Sequence, residues 1–357
     1  MLMAARGAEF IGTMAVQEKH RFDVAALERF MATHVEGFRP PLVVEQFRGG
    51  QSNPTYRLSD GGGRRYVLRR KPPGKLLPSA HAVDREFRVI SALNRTDVPT
   101  PRAYALCEDD GVIGTAFYIM EFCDGRVLWD PMLPDMTPEM RHAVYEAKVD
   151  TLARLHKVDY QAVGLGDFGR PGSYVARQIK RWGGQYKASE TESIEAMDKL
   201  LEWLPANAPQ ADSTTIVHGD YRLDNMIYHP SEPRVLAVID WEISTLGDPL
   251  AELSYLCMMY RVPQDQGGMQ GVDIEALGIP GEADMVRMYG ERTGRSTVPD
   301  WEFYMAYNLF RIACIRQGVY ARGLDGTASN LRAVDSGKLV RPNAELAWSL
   351  AQGLGAR

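Results

Sequence analysis

Along the first third of the chain, apolar residues come in short runs separated by Gly- and Pro-rich breaks; from about residue 137 they recur every three or four positions. The runs VVEQF (43–47), YRL (56–58) and RRYVLRR (64–70) read as strands, joined by the polar turn RGGQSNPT and the hairpin-type cluster DGGG at 60–63. A helix over 22–37, with Asp23 placed to cap it, precedes them, and a second runs roughly from Ala82 to Leu93 after the Pro-rich link KPPGKLLPSAH. GVIGTAFYIMEF (111–122) predicts a turn and then a strand that ends at the break CDG, 123–125. Beyond it, 137–159 reads as a helix with Thr137 at the N-cap and Pro138 at the first helical position, and further helices are expected over 249–260, 282–293 and 300–322. Two short strands interrupt this helical half within 216–253. The pattern predicts an α+β protein of two lobes, a small antiparallel sheet with one crossing helix followed by a larger, mostly helical part. Residues 1–20 are expected to be a tag or disordered extension, with Met14 a second plausible start. The first lobe is placed at 21–123 and the second at 124–357, with a hinge at 123–125.

A chain of 357 residues favours two domains, and 45% hydrophobic with 24% charged residues gives ample material for a core. The net charge of −5 argues against nucleic acid or a membrane surface as a general partner. Cys107, Cys123, Cys257 and Cys314 lie far apart without a C-x-x-C pair, which suits free thiols in a reducing compartment better than a disulfide frame or a zinc site. There is no apolar run of about eighteen residues, no convincing secretory signal and no C-terminal receptor-read address. The expected location is the cytoplasm.

The stretch IVHGDYRLDNMIYHPSEPRVLAVIDWEISTLGDPLAEL (216–253) carries the chemistry. It sets His218, Asp220 and Asn225 in the spacing H-x-D-x-x-x-x-N and adds Asp240 within an apolar run. Phosphoryl transfer from a nucleotide needs one carboxylate to orient the acceptor hydroxyl and oxygen ligands to hold Mg²⁺ against the phosphates. Asp220 suits the first task; Asn225 and Asp240 suit the second. The catalytic loop of protein kinases has the same spacing, followed by a metal-binding Asp. A single Asp or Asn here would be read as a turn former. The joint pattern points to a kinase.

These blocks, together with GGQSNPTYRL, YVLRR, REFRVISAL, FYIMEFCDG and LARLH, resemble the aminoglycoside phosphotransferase and choline kinase superfamily over roughly 40–260. RRKPPGKLLPSAHAVDREFRVI is more narrowly similar to the kinase-like domain fused to acyl-CoA dehydrogenases in animals and to its stand-alone bacterial relatives. The resemblance implies a protein-kinase-like fold, ATP or GTP as co-substrate with Mg²⁺, Asp220 as the catalytic aspartate, and Asn225 and Asp240 as metal ligands. It implies that His218 braces the loop, and that Arg69, with Glu86 as ion-pair partner, stands where the family often has a phosphate-binding lysine. Lys71 is the less favoured stand-in. In the short loop GGQSNPTY, Gly49 and Gly50 would allow a tight turn, with Ser52 or Asn53 facing the phosphates. Met120, Glu121 and Phe122 would present backbone groups to the base. Asp248 would cap the helix opened by Pro249 and tie it to the metal loop.

Aminoglycoside acceptors are polycations and need an acidic surface. Here 303–324 carries Arg311, Arg316 and Arg322 with no acidic residue, and a second basic cluster lies at 64–75 (Arg64, Arg65, Arg69, Arg70, Lys71, Lys75). The expected partner beside the nucleotide is therefore an anionic small-molecule alcohol, with a CoA thioester such as a hydroxyacyl-CoA the sharpest case and Arg311 and Arg316 as acceptor contacts. The alternatives are a kinase for aminoglycosides or other cations, and a nucleotide-binding pseudokinase serving as an interaction module. No A-P-E motif follows Asp240, which places a protein-serine kinase last.

Overall fold

The computed structural model describes residues 11–48, 53–72, 82–210, 213–328 and 333–357. Gly49, Gly50, Ser52 and Lys75 fall outside them. The chain forms two compact units, one comprising 1–136, 161–165 and 222–244, the other 137–160, 166–221 and 245–357. The fold is α+β, with a six-stranded antiparallel sheet in the first unit and a mainly helical second unit. No described helix is long and apolar enough to cross a membrane.

In the first unit the short strand-like runs become β2 (Val43–Phe47), β3 (Thr55–Ser59) and β4 (Arg65–Arg70). They are joined by β1 (Thr13–Met14), β5 (Ala103–Cys107) and β6 (Phe117–Glu121) in the order β1-β2-β3-β4-β6-β5. One face packs on α1 (Val24–His34), burying Leu27, Met31, Tyr56, Leu58, Tyr66, Leu68, Phe117 and Ile119 in one cluster. Asp23 caps α1 by accepting from the Ala26 amide. Across the sheet runs α2 (Val83–Leu93), whose apolar stripe buries Val83, Val89, Ile90 and Leu93. The extension expected over 1–20 does not reach residue 20. Thr13 and Met14 pair with Phe47 and Gln46, and the His20 carbonyl accepts from Tyr56 Oη and Arg70 Nη2, so the last part of that segment is built into the sheet.

The expected hinge at 123–125 lies inside this unit, because β7 (Arg126–Val127) pairs with β9 (Met226–Tyr228), and β9 with β10 (Val235–Val238). The division after residue 123 is therefore not where the compact units part.

The second unit is built from α3 (Pro138–Lys157), α4 (Tyr174–Ser189), α5 (Glu195–Asn207), α6 (Pro249–Cys257), α7 (Glu282–Thr293), α8 (Trp301–Leu324) and α9 (Val340–Gly353). Thr137 caps α3 through the Met140 amide with Pro138 at its start, as the sequence predicts. Helix α6 is buried at every position, and α8 packs its buried face on α4, α6 and α9. A two-stranded antiparallel ladder of β8 (Thr215–Val217) and β11 (Thr245–Gly247) leads into the motif at one end and into α6 at the other.

Candidate active site

In the first unit, the two expected metal ligands leave one end of one ladder. Strand β9 begins directly after Asn225, β10 ends two residues before Asp240, and Met226 pairs with Val238. The Ile239 amide then donates to the Asn225 carbonyl at 2.9 Å, which locks the two segments together. Asn225 is buried in a short 3-10 turn, and Asp240 takes a left-handed backbone with φ 69°. Such a conformation is costly for a residue with a side chain and persists where its surroundings enforce it.

Those surroundings are ionic. Arg69, near the end of β4 and buried, brings its Nε within 2.9 Å of Glu86 Oε2 on α2 and donates from Nη2 to Asp240 Oδ1 at 2.5 Å and Glu242 Oε2 at 3.3 Å. Glu86, fully buried, also accepts from Tyr118 Oη and Asn53 Nδ2, each at 3.0 Å, and Asn53 reaches Glu242 at 3.4 Å. Burial opposes the Arg69 charge, but Glu86, Asp240 and Glu242 outweigh it and hold the guanidinium firmly protonated. Burial pushes the Glu86 carboxyl up, against the pull of Arg69. The structure thus brings Asn53, Arg69, Glu86 and Asp240 together, and adds Glu242. Asn225 and Asp240 offer the hard oxygen donors that Mg²⁺ takes, and a cation, Arg69, already sits on the Asp240 carboxylate; the residues fit the metal.

In the second unit, β8 delivers His218, Gly219 and Asp220. Gly219 has φ 88°, a left-handed turn that a side chain would strain. Buried Glu252, in the first turn of α6, accepts from the His218 amide at 3.0 Å and the Gly219 amide at 2.6 Å. His156 Nε2 lies 3.0 Å from the same carboxylate, and its Nδ1 lies 2.7 Å from Tyr289 Oη. The His218 ring accepts from the Asp220 amide at 3.2 Å. Tyr255 donates to Asp220 Oδ1 at 2.5 Å, and Arg311 donates to the Gly219 carbonyl at 2.5 Å. Asp248 accepts from the Leu250 amide and from Tyr304 Oη, 2.7 Å away; it caps α6.

Residues 43–304 match the phosphotransferase enzyme family, APH. This chain belongs to that family. It is 48% identical over 341 residues to acyl-CoA dehydrogenase family member 10 of Mus musculus, an alignment that takes in 93% of this chain and 31% of that protein. The chain therefore spans about a third of that relative's length. A solved structure from Ralstonia eutropha, named as a candidate aminoglycoside phosphotransferase, is 55% identical, covers 93% of this chain and 99% of its own, and superposes with a TM-score of 0.86. At 16% identity, a thermostable mutant of aminoglycoside phosphotransferase APH(4)-Ia, solved with AMP-PNP and hygromycin B, shares the fold with a TM-score of 0.58; the match covers 92% of this chain and 99% of that one.

Within this phosphotransferase, three sequence expectations need correction. Arg311 is no acceptor contact: it is 6% exposed, its Nη2 serves the Gly219 carbonyl, and its guanidinium lies over the rings of Tyr255 and Trp182. The Glu121 amide does not face a base, because it donates to the Arg102 carbonyl at 2.8 Å; Met120 is paired in β6, and the Phe122 ring stacks near Phe47 with Arg65 over its face. The described part of the basic cluster, 64–72, does not form one open anion trap either. Arg64 binds the Glu36 carbonyl, Arg65 pairs with Asp124, and Arg70 is buried on Tyr56, Ile113 and His20. Arg316 is half-buried on α8.

Sequence reading missed Glu242, Tyr255 and His156 and gave Glu252 no task. The only signal was spacing: 252 and 255 stand three apart and share a helix face with the capping Asp248 four residues earlier. Burial works to raise the Glu252 pKa, yet bonds from His156 and the Gly219 amide hold it below the ordinary 4.5. A carboxyl depressed in the folded state contributes stability above its unfolded pKa, and loses it as pH falls through the folded value. Glu252→Ala is accordingly expected to cost about 3 kcal/mol at neutral pH and to flatten the stability loss below about pH 4.5. Urea midpoints of both proteins at neutral and acid pH test this; a variant with the parent's acid dependence would contradict it.

Proposed function

We propose that this phosphotransferase moves the γ-phosphoryl group of ATP or GTP to a hydroxyl of an anionic small molecule, a hydroxyacyl-CoA being the sharpest case. The observation that carries the phosphotransfer reading is the cluster in which Arg69 joins Glu86 on one side to Asp240 on the other. A cation held this way meets the nucleotide phosphates from a rigid strand. Asp220 orients the acceptor oxygen, whose lone pair forms the new O–P bond while the bridging oxygen keeps the electron pair of the broken one and leaves on the nucleoside diphosphate. The acceptor proton passes to Asp220, late in a loose transition state, so an ordinary carboxylate suffices. Asn225 and Asp240 would hold Mg²⁺, which supplies charge neutralisation at the phosphates. Asn53 with Gly50 and Ser52 is assigned to the phosphates, and His218 and Asp248 to support. A cytoplasmic site of action fits the four free thiols.

The acyl-CoA acceptor is supported by the mouse relative, whose name carries acyl-CoA chemistry over a length that includes this homologous segment. With Arg311 turned inward, Arg316 and the exposed Arg322 are the candidate contacts for CoA phosphates. The name of the Ralstonia protein favours a cationic acceptor instead. Arginine at position 69, where the family often has lysine, favours a nucleotide-binding interaction module. Release of ADP or GDP in the presence of hydroxyacyl-CoAs, aminoglycosides and choline separates the three. Turnover confined to aminoglycosides sinks the CoA acceptor, and no turnover with any of them sinks the kinase.

A further inference from the structure

Two helices of the second unit grip the Asp220 loop at matched intervals. On α6, Asp248 caps the start, Glu252 takes the His218 and Gly219 amides, and Tyr255, three residues on, takes the Asp220 side chain. On α8, Tyr304 bonds Asp248, Asn308 bonds the Ala251 carbonyl and Ser254 Oγ, and Arg311 bonds the Gly219 carbonyl. Positions 304, 308 and 311 lie on one helix face, so the same face that fixes α6 also fixes the loop.

Arg311 is unusual within this arrangement. Its guanidinium is buried, and among the described residues no carboxylate forms an ion pair with it. Its surroundings are the Gly219 carbonyl and the faces of Tyr255, 4.9 Å from centroid to Cζ, and Trp182, at 5.6 Å. Burial works against that charge; the hydroxyls of Tyr307, Tyr174 and Tyr255 and the carboxylate of Asp220 outweigh it. A buried cation without an ionic partner is expensive unless something uses its field, and Tyr255 touches both groups, its ring under the guanidinium and its hydroxyl donating to Asp220.

We propose that Tyr255 is the positioning residue of Asp220: its ring lies under the Arg311 guanidinium, and its hydroxyl holds Oδ1 and thereby sets the plane of the carboxylate that meets the acceptor hydroxyl. This inference rests on the phosphotransfer reading. The carboxylate gains a short charge-assisted bond from the hydroxyl of a buried ring that projects from α6 and packs against the cation.

The test uses the full chain with Mg²⁺ and ATP, enzyme in excess, and ADP release followed with water and with the best acceptor of the panel. Tyr255→Phe keeps the ring beneath Arg311 and removes only the hydroxyl. It is expected to slow ADP release roughly 10- to 100-fold, the worth of one hydrogen bond to a charged group, with the KM for ATP within about twofold. In an Asp220→Asn background the same change should add less than about twofold, because the group it positions is gone. Two results overturn the inference: Tyr255→Phe within twofold of the parent while Asp220→Asn is inactive, or a Tyr255→Phe factor that is undiminished in the Asp220→Asn background. Unchanged turnover in Asp220→Asn alone, or none in the parent, overturns the underlying phosphotransfer reading and the inference with it.

Discussion

Asp220→Asn is expected to lower ADP release by about 10²- to 10⁴-fold while nucleotide affinity, read by calorimetry with ADP, moves less than about threefold. The two parts of that expectation have separate structural grounds. Asn is isosteric, and its amide oxygen can still accept from Tyr255, so the side chain keeps its place. The loop backbone is held by Glu252, His218 and Arg311 through bonds to main-chain groups, which the substitution leaves in place. What disappears is the carboxylate proposed to receive the acceptor proton. The nucleotide contacts, assigned to the first unit, remain. A variant with parental turnover would end the assignment of Asp220. A parent without turnover but with nucleotide affinity would favour the interaction module.

Much of this was legible because local pattern and final structure agree. The strand runs 43–47 and 64–70 are short, rich in β-branched and aromatic residues and bounded by turn signals, and became β2 and β4; Thr137–Pro138 and Asp248–Pro249 mark helix starts with their own capping chemistry. Helices α4, α5 and α9 were not legible, and each carries a residue that reads as a breaker. Gly183 and Gly184 interrupt α4, yet a Cβ at Gly183 would lie 2.6 Å from Leu201, so that glycine marks a close crossing with α5. Pro342 falls in the first turn of α9, where a missing amide costs little, and Pro205 in the last turn of α5, where it takes away one bond but leaves little helix beyond it to break. Tertiary packing decided these three segments.

The site divides in the same way. Asp220, Asn225 and Asp240, proposed here for acceptor and metal, form a pattern of residue type and spacing that the sequence displays. Glu242, Glu252 and Tyr255 act on groups brought near by folding, and an acidic or aromatic residue on a helix reads the same whether it braces a loop or lines a core. Arg311 shows the reverse error. A basic residue on an apolar helix suggested an anion contact, but α8 turns that face inward.

Arg69 is where removal should be felt most in stability. Arg69→Met would leave Glu86, Asp240 and Glu242 facing one another without their shared cation. Taking one partner from a buried ionic group typically costs about 3–5 kcal/mol, because the remaining charge stays desolvated. The loss should be local first: Asp240 sits in a left-handed conformation that the ion pair helps to hold, and α2 is tied to β4 through Glu86. Hydrogen exchange should therefore quicken in β4, α2 and the segment around Asp240 before it does in α3 or α8. Arg69→Lys should recover only part of the loss. A single ammonium can approach Glu86 or Asp240, whereas the guanidinium addresses Glu86 through Nε and Asp240 with Glu242 through Nη2. Denaturant midpoints ordered parent, Lys variant, Met variant are the expected result, and a Met variant as stable as the parent would show that the cluster's charges are solvated. Nucleotide affinity should follow the same order, since the cation that steadies Asp240 is also the one assigned to the phosphates.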